Sequence, residues 1–161
     1  MAFFSAYDVA TPLGACAVLN HLYASEVIAR EQYYRHAVDV TGLWSTSLQG
    51  MFEEHAAEEQ GHADTLRDLI DNLGGTITNE LSTMVRANPT HSGNGDVSSS
   101  PNTKTILQQD LEAETTAIEA YAEAARMFQT TQYHHVYVAL AEILGDEYHH
   151  QRELRNLLAG L

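Results

Sequence analysis

Glu59 and His62 stand three residues apart in "EEQGHADTL", and Glu147 and His150 stand three apart in "DEYHHQREL". On a helix, side chains at that spacing share a face about one turn apart. A carboxylate and an imidazole held in this way form a donor pair for a divalent transition metal. One such pair is a weak signal, but each is preceded by a further glutamate at the same interval of 33 residues, Glu26 before Glu59 and Glu114 before Glu147. A tyrosine follows each of those glutamates by seven residues, Tyr33 after Glu26 and Tyr121 after Glu114, two turns on along the same face. Each tyrosine is placed to hydrogen-bond a ligand carboxylate or to donate an electron; the plainer reading is a core tyrosine whose hydroxyl finds an acceptor.

The halves of the chain overlay with a shift of 88 residues and no gap, so that Glu26, Tyr33, Glu59, His62 and Leu66 fall on Glu114, Tyr121, Glu147, His150 and Leu154. All of these lie on the apolar stripes of their segments, which sends four carboxylates and two imidazoles into one interior. Burying four negative charges without partners costs many kcal/mol, and no lysine or arginine lies on those stripes to neutralise all four. Two divalent cations would balance them. Helical bundles build carboxylate-bridged di-iron or di-manganese sites from one glutamate on each of two helices and Glu-x-x-His on each of the other two. The expected ligands are Glu26, Glu59, His62, Glu114, Glu147 and His150. Oxygen and nitrogen donors without thiolate suit two iron ions, with manganese or zinc as alternatives.

Four helices are needed to carry these residues, and the periodicity predicts them at about 12–40, 44–73, 104–129 and 132–159. Thr11 and Pro12 form an N-cap and N1 pair, Gly42 marks a stop, and Gly74–Gly75 a C-cap. Residues 74–103, with "NPTHSGNGDVSSSPNT", break the pattern and read as a long connection, in which "NELSTMVRA" is expected to make a helical turn before Pro89. Two hairpins joined by a long crossover predict an all-α, ferritin-like antiparallel four-helix bundle, with residues 1–161 as a single domain.

Composition excludes other classes. A formal charge of −14, with one lysine and seven arginines, argues against gripping nucleic acid through its phosphates. No run of about 18 apolar residues occurs, and the N-terminus lacks a basic leader, so no membrane is expected as partner and a cytoplasmic location is. Cys16 has no partner for an internal disulfide and reads as a small apolar residue. His55, one turn before Glu59, reads as a core-edge histidine, with an extra ligand or iron-relay role as the alternative. His134, His135 and His149 read as surface residues, Glu54 and Glu58 as a solvated face, with feeding cations inward as the alternative, and Phe3, Phe4 and Tyr7 as a cap on the bundle end or an oligomer contact.

The stretch "LNHLYASEVIAREQYYRHA", residues 19–37, closely resembles the opening helix of bacterioferritins, "EEQGHAD" their second-helix motif and "ILGDEYHH" their fourth-helix motif. The resemblance covers most of residues 15–160. It implies a ferroxidase-like centre with Glu59 and Glu147 as bridges, acting on Fe(II) with dioxygen or hydrogen peroxide. Gln60 stands where bacterioferritins place the methionine that binds haem, so haem is not expected. The chain ends at Leu161, leaving no residues for the fifth helix that helps those proteins close a cage; a homo-oligomer of at least two subunits is expected, with or without a storage shell. The histidines of the DNA-protecting miniferritins are not seen, which places the site within one chain. Rubrerythrins are also similar, but carry a glutamate where Ala117 stands and usually a cysteine-rich module. The resulting expectation is a ferroxidase-type oxidoreductase for iron handling or storage. Two alternatives stand beside it: a di-iron or di-manganese oxidase, peroxidase or hydroxylase acting on a small molecule, and a non-catalytic metal-binding subunit.

Overall fold

The computed structural model describes residues 2–77 and 102–161; residues 78–101, including the stretch read as a helical turn before Pro89, lie outside the described residues. Four helices follow in order: α1 (Pro12–Asp39), α2 (Ser45–Asn72), α3 (Thr103–Phe128) and α4 (His134–Ala159), with no strand among the described residues. The Thr11 hydroxyl accepts from the Gly14 N–H, and Pro12, which has no N–H to leave unpaired, opens the helix. Asn102 caps α3 likewise, accepting from the Thr105 N–H. Gly42 and Gly74 take φ of 98° and 74°, a region costly for any side chain, and there the chain turns out of α1 and α2.

Tyr33 of α1 meets Glu114 of α3, and Tyr121 of α3 meets Glu26 of α1, so these helices run antiparallel. His62 beside Glu147 and His150 beside Glu59 set α2 antiparallel to α4. Because the short turn between Asp39 and Ser45 folds α2 back along α1, α2 and α3 point the same way. The Asn20 amide near the start of α1 donates to the Thr76 carbonyl just past α2 at 3.1 Å, whereas the Thr103 hydroxyl opening α3 donates to Thr41 in the α1–α2 turn at 3.1 Å. The chain therefore leaves α2 at one end of the bundle and enters α3 at the other, as a ferritin-type crossover requires.

Apolar packing is divided in two. One cluster fills the end where Phe4, Leu19, Leu22, Leu66, Tyr121 and Phe128 meet; the other holds Tyr33, Phe52, Ile106, Leu107 and Leu154. Along every helix the glutamates and histidines singled out above fall between these clusters, so two well-packed cores, at about 2–3 kcal/mol per buried large side chain, offset a polar belt across the middle. The N-terminal segment seals the first end. Phe4 is wholly buried, and the Glu123 carboxylate accepts the backbone N–H groups of Phe3 and Phe4, each at 2.8 Å. The aromatic cap is thus real, and it is tied to α3.

Candidate metal centre

Glu26, Glu59, His62, Glu114, Glu147 and His150 are all buried and face one another in the middle of the bundle. His62 Nδ1 lies 3.3 Å from Glu26 Oε2, 3.1 Å from Glu59 Oε2 and 3.3 Å from Glu147 Oε1. His150 Nδ1 lies 3.3 Å from Glu59 Oε1, 3.6 Å from Glu114 Oε1 and 3.6 Å from Glu147 Oε2. Each histidine thus gathers three carboxylates, and Glu59 and Glu147 turn one oxygen to each. In both groups the four donor atoms lie within 4.8 Å of one another. An ion with bonds of about 2 Å places opposite donors about 4 Å apart, so each group matches the span of one cation.

The donor set fits metals on a second count. Glu59 Oε1, Glu147 Oε1 and His150 Nδ1 are buried without a hydrogen-bond partner. Buried polar atoms are seldom left unpaired, and these three point into the shared space. His62 and His150 counter the carboxylates: burial alone would lower both imidazoles, but Glu147, Glu26 and Glu59 around His62, and Glu114, Glu147 and Glu59 around His150, hold them protonated far above the usual range. Burial, then repulsion from Glu147 and Glu26, pushes Glu59 well up; burial and Glu147 push Glu114 to about 7. Without metal the belt therefore holds protons where two dications would sit.

Surrounding contacts aim these side chains. Tyr33 donates its hydroxyl to Glu114 and Tyr121 donates to Glu26, each reaching the other hairpin, so the tyrosines cross between halves where the seven-residue step had set each beneath its own glutamate. Glu58 lies on the solvated face expected of it, yet it also accepts from His150 Nε2 at 2.6 Å, and its repeat partner Asp146 accepts from His62 Nε2 at 3.3 Å. A carboxylate on the outer nitrogen keeps the proton there and leaves Nδ1 as the inward donor.

His55 belongs to neither metal group. It is buried, stacks on His150 with ring centroids 4.1 Å apart, and donates to Glu153 at 3.0 Å. His134, His135 and His149 are exposed, while Cys16 packs under Ile70. One buried pair escaped the sequence reading. His36 Nδ1 donates to both oxygens of Asp110, at 2.8 and 2.9 Å, and the Gln32 amide meets His36 Nε2 at 2.7 Å. Burial pushes Asp110 up to about 6 against the pull of His36. The available signal was a broken repeat, since the 88-residue shift pairs His36 with Ala124 and Asp110 with Leu22.

The chain matches the family model described as a ferritin-like domain over residues 16–161. Among solved structures it is similar to a dodecameric thioferritin, the bacterioferritin-related protein of Bacteroides fragilis, at 27% identity and a TM-score of 0.85 over 92% of this chain and 86% of that one. It is similar also to ferritin-like diiron-carboxylate proteins of Bacillus anthracis str. Ames, at 26% identity and a TM-score of 0.75 over 89% of this chain and 94% of that one. A DPS protein of Vibrio cholerae O1 shares the fold, with 15% identity and a TM-score of 0.84 over 98% of both chains. No curated protein matches the chain in sequence. No described helix is long and apolar enough to cross a membrane.

Proposed function

The chain belongs to the ferritin-like family, and from that premise we propose that it is a ferroxidase whose substrate pair, two Fe(II) ions, is held by Glu26, Glu59, His62, Glu114, Glu147 and His150. The observation that carries this reading is the sharing of Glu59 and Glu147 between the two four-residue groups. Two irons held about 3.5–4 Å apart with open positions supply two electrons at one place. Dioxygen takes both with two protons and leaves as hydrogen peroxide; alternatively, hydrogen peroxide takes them with two protons and leaves as water.

The residues divide that work. Glu59 and Glu147 span the pair, Glu26 and Glu114 close its ends, Tyr121 fixes the far oxygen of Glu26, and Tyr33 holds the Glu114 oxygen that faces His150. His62 and His150 supply nitrogen, aimed by Asp146 and Glu58. Entry of the cations displaces the imidazolium protons, because the Nδ1 lone pair must be free to bind. Haem has no part in this reading, and the acidic surface draws cations toward the protein. The Bacteroides relative is dodecameric, and exposed Val38, Leu43 and Trp44 near the α1–α2 turn offer apolar surface for a homo-oligomer here too.

Stopped-flow mixing of metal-free protein and Fe(II) with oxygenated buffer tests the reading. A fast oxidation phase should saturate at two Fe per chain and vanish in Glu59→Ala, which removes a donor from both groups. A fast phase unchanged in that variant refutes the site. Uptake continuing to many Fe per chain assigns storage, whereas turnover of a small reductant with the metals retained assigns the small-molecule oxidase class.

A further inference from the structure

The six inward donors obey the internal repeat, but their surroundings do not. Beside Glu114 and His150 stand buried Asp110 and His36, Thr115 bonded to Gln151 at 2.9 Å, and His55 bonded to Glu153. The repeat-related places around Glu26 and His62 hold Leu22 and Ala124, Val27 and Ala63, Ile143 and Thr65. The imbalance extends to charge. Asp110, one turn before Glu114, is a buried carboxylate held by His36 Nδ1, and the place related to it by the repeat, one turn before Glu26, holds the uncharged Leu22. On the other flank, Arg30 lies one turn beyond Glu26 and binds Gln60, the neighbour of Glu59; its repeat partner is Ile118. Glu31 pairs with Arg30 at 2.7 Å but is half-exposed and offsets it only in part. The outer carboxylates Glu58 and Asp146 are themselves repeat-related, and Arg67 with Asp64 and Asp68 sits out in solvent, where charge is screened.

We propose that the two metal positions are unequal, and that the Glu59–Glu114–Glu147–His150 position takes the first dication because Asp110 stands beside it while Arg30 stands beside the other. This rests on the six residues being metal ligands. A buried anion attracts a dication with twice the force it exerts on a proton, and a nearby guanidinium repels it likewise; in a low-dielectric interior both effects reach beyond direct contact. His36 acts as a positioning residue that holds Asp110 in place. The tyrosine hydrogen bonds do not create the difference, since both end glutamates receive one.

The test is one equivalent of Co(II) added without oxygen to metal-free protein, followed by crystallisation and anomalous diffraction at the cobalt edge, with a calorimetric Co(II) titration on the same sample. Cobalt should favour the His150 position by about tenfold or more, and the titration should resolve two steps. Asp110→Asn keeps an acceptor for His36 and removes the charge, so occupancies should move toward equality. The double change His36→Ala with Asp110→Leu, which copies the Ala124 and Leu22 packing of the other half, should do the same. Arg30→Gln, on the partly exposed flank, should narrow the preference from the opposite side. Equal filling in the unaltered protein, preference for the His62 position, or a preference that survives all three variants overturns the inference. Cobalt at neither position refutes the ligand assignment itself, a result distinct from equal filling.

Discussion

Replacing Glu114 by glutamine separates what this carboxylate does for stability from what it does for metal. Burial and Glu147 lift its pKa from 4.5 to about 7. Between those values the folded chain holds a proton that the unfolded chain has released. The resulting stabilisation is fully present below pH 4.5 and is lost as the pH rises through 7. At about 1.4 kcal/mol per unit, an upper bound of about 3 kcal/mol is forfeited at pH 8. Glutamine carries no charge and still offers an oxygen to the Tyr33 hydroxyl, so it escapes this loss, though it also gives up the attraction of Glu114 for protonated His150. Metal-free Glu114→Gln should therefore be more stable than the unaltered protein at pH 8, by up to about 3 kcal/mol or several degrees in Tm, and little different at pH 4.5. Added Mn(II) or Zn(II) should reverse the order, because the variant lacks one of the three carboxylates around His150. Thermal unfolding at both pH values, with and without metal, reads all of this. A metal-free variant less stable at pH 8, or one that gains as much Tm from metal as the unaltered protein, refutes the account of the belt as a charge cluster built for cations.

Glu58→Ala should weaken metal binding about 10- to 100-fold, with Asp146→Ala doing less, because the Glu58 contact is 2.6 Å against 3.3 Å and Glu58 is the less exposed of the two; a calorimetric Zn(II) titration that finds neither effect removes their aiming role. Tyr33→Phe and Tyr121→Phe should each leave the fold intact but lower the apparent affinity of a single position, the one holding Glu114 or Glu26 respectively, so that paired changes in both positions from one variant would contradict the crossed hydrogen bonds. Phe4→Ala should cost about 3–5 kcal/mol in denaturant unfolding, and Glu123→Ala should free the Phe3 and Phe4 amides to exchange with solvent while metal binding is retained.

The parts of this site legible in the sequence share one property: they recur. Glu26 with Glu114, the paired Glu-x-x-His segments and the two tyrosines repeat at one interval, and helical periodicity then decides which way they face, so their convergence followed from spacing alone. Thr11–Pro12 and Gly42 were readable for a different reason, since capping and positive φ are local chemistry that needs no tertiary information. Contacts decided across the bundle were not readable. Glu58 lies on the exposed side of its own helix, and only the approach of α4 turns it toward His150. The tyrosines were placed beneath their own glutamates because spacing describes one helix, whereas a phenol two turns away reaches a neighbouring helix more readily than its own. His36 and Asp110 look unremarkable in isolation, and the repeat predicts nothing for them because they depart from it. Under the proposed function, a pair of cations demands the same donors twice, which matches the residues that recur, and the chain is free to differ between its halves elsewhere. On the proposed reading, the buried departures from the repeat beside its matched members, Asp110 and His36 first among them, are what make the two metal positions unequal.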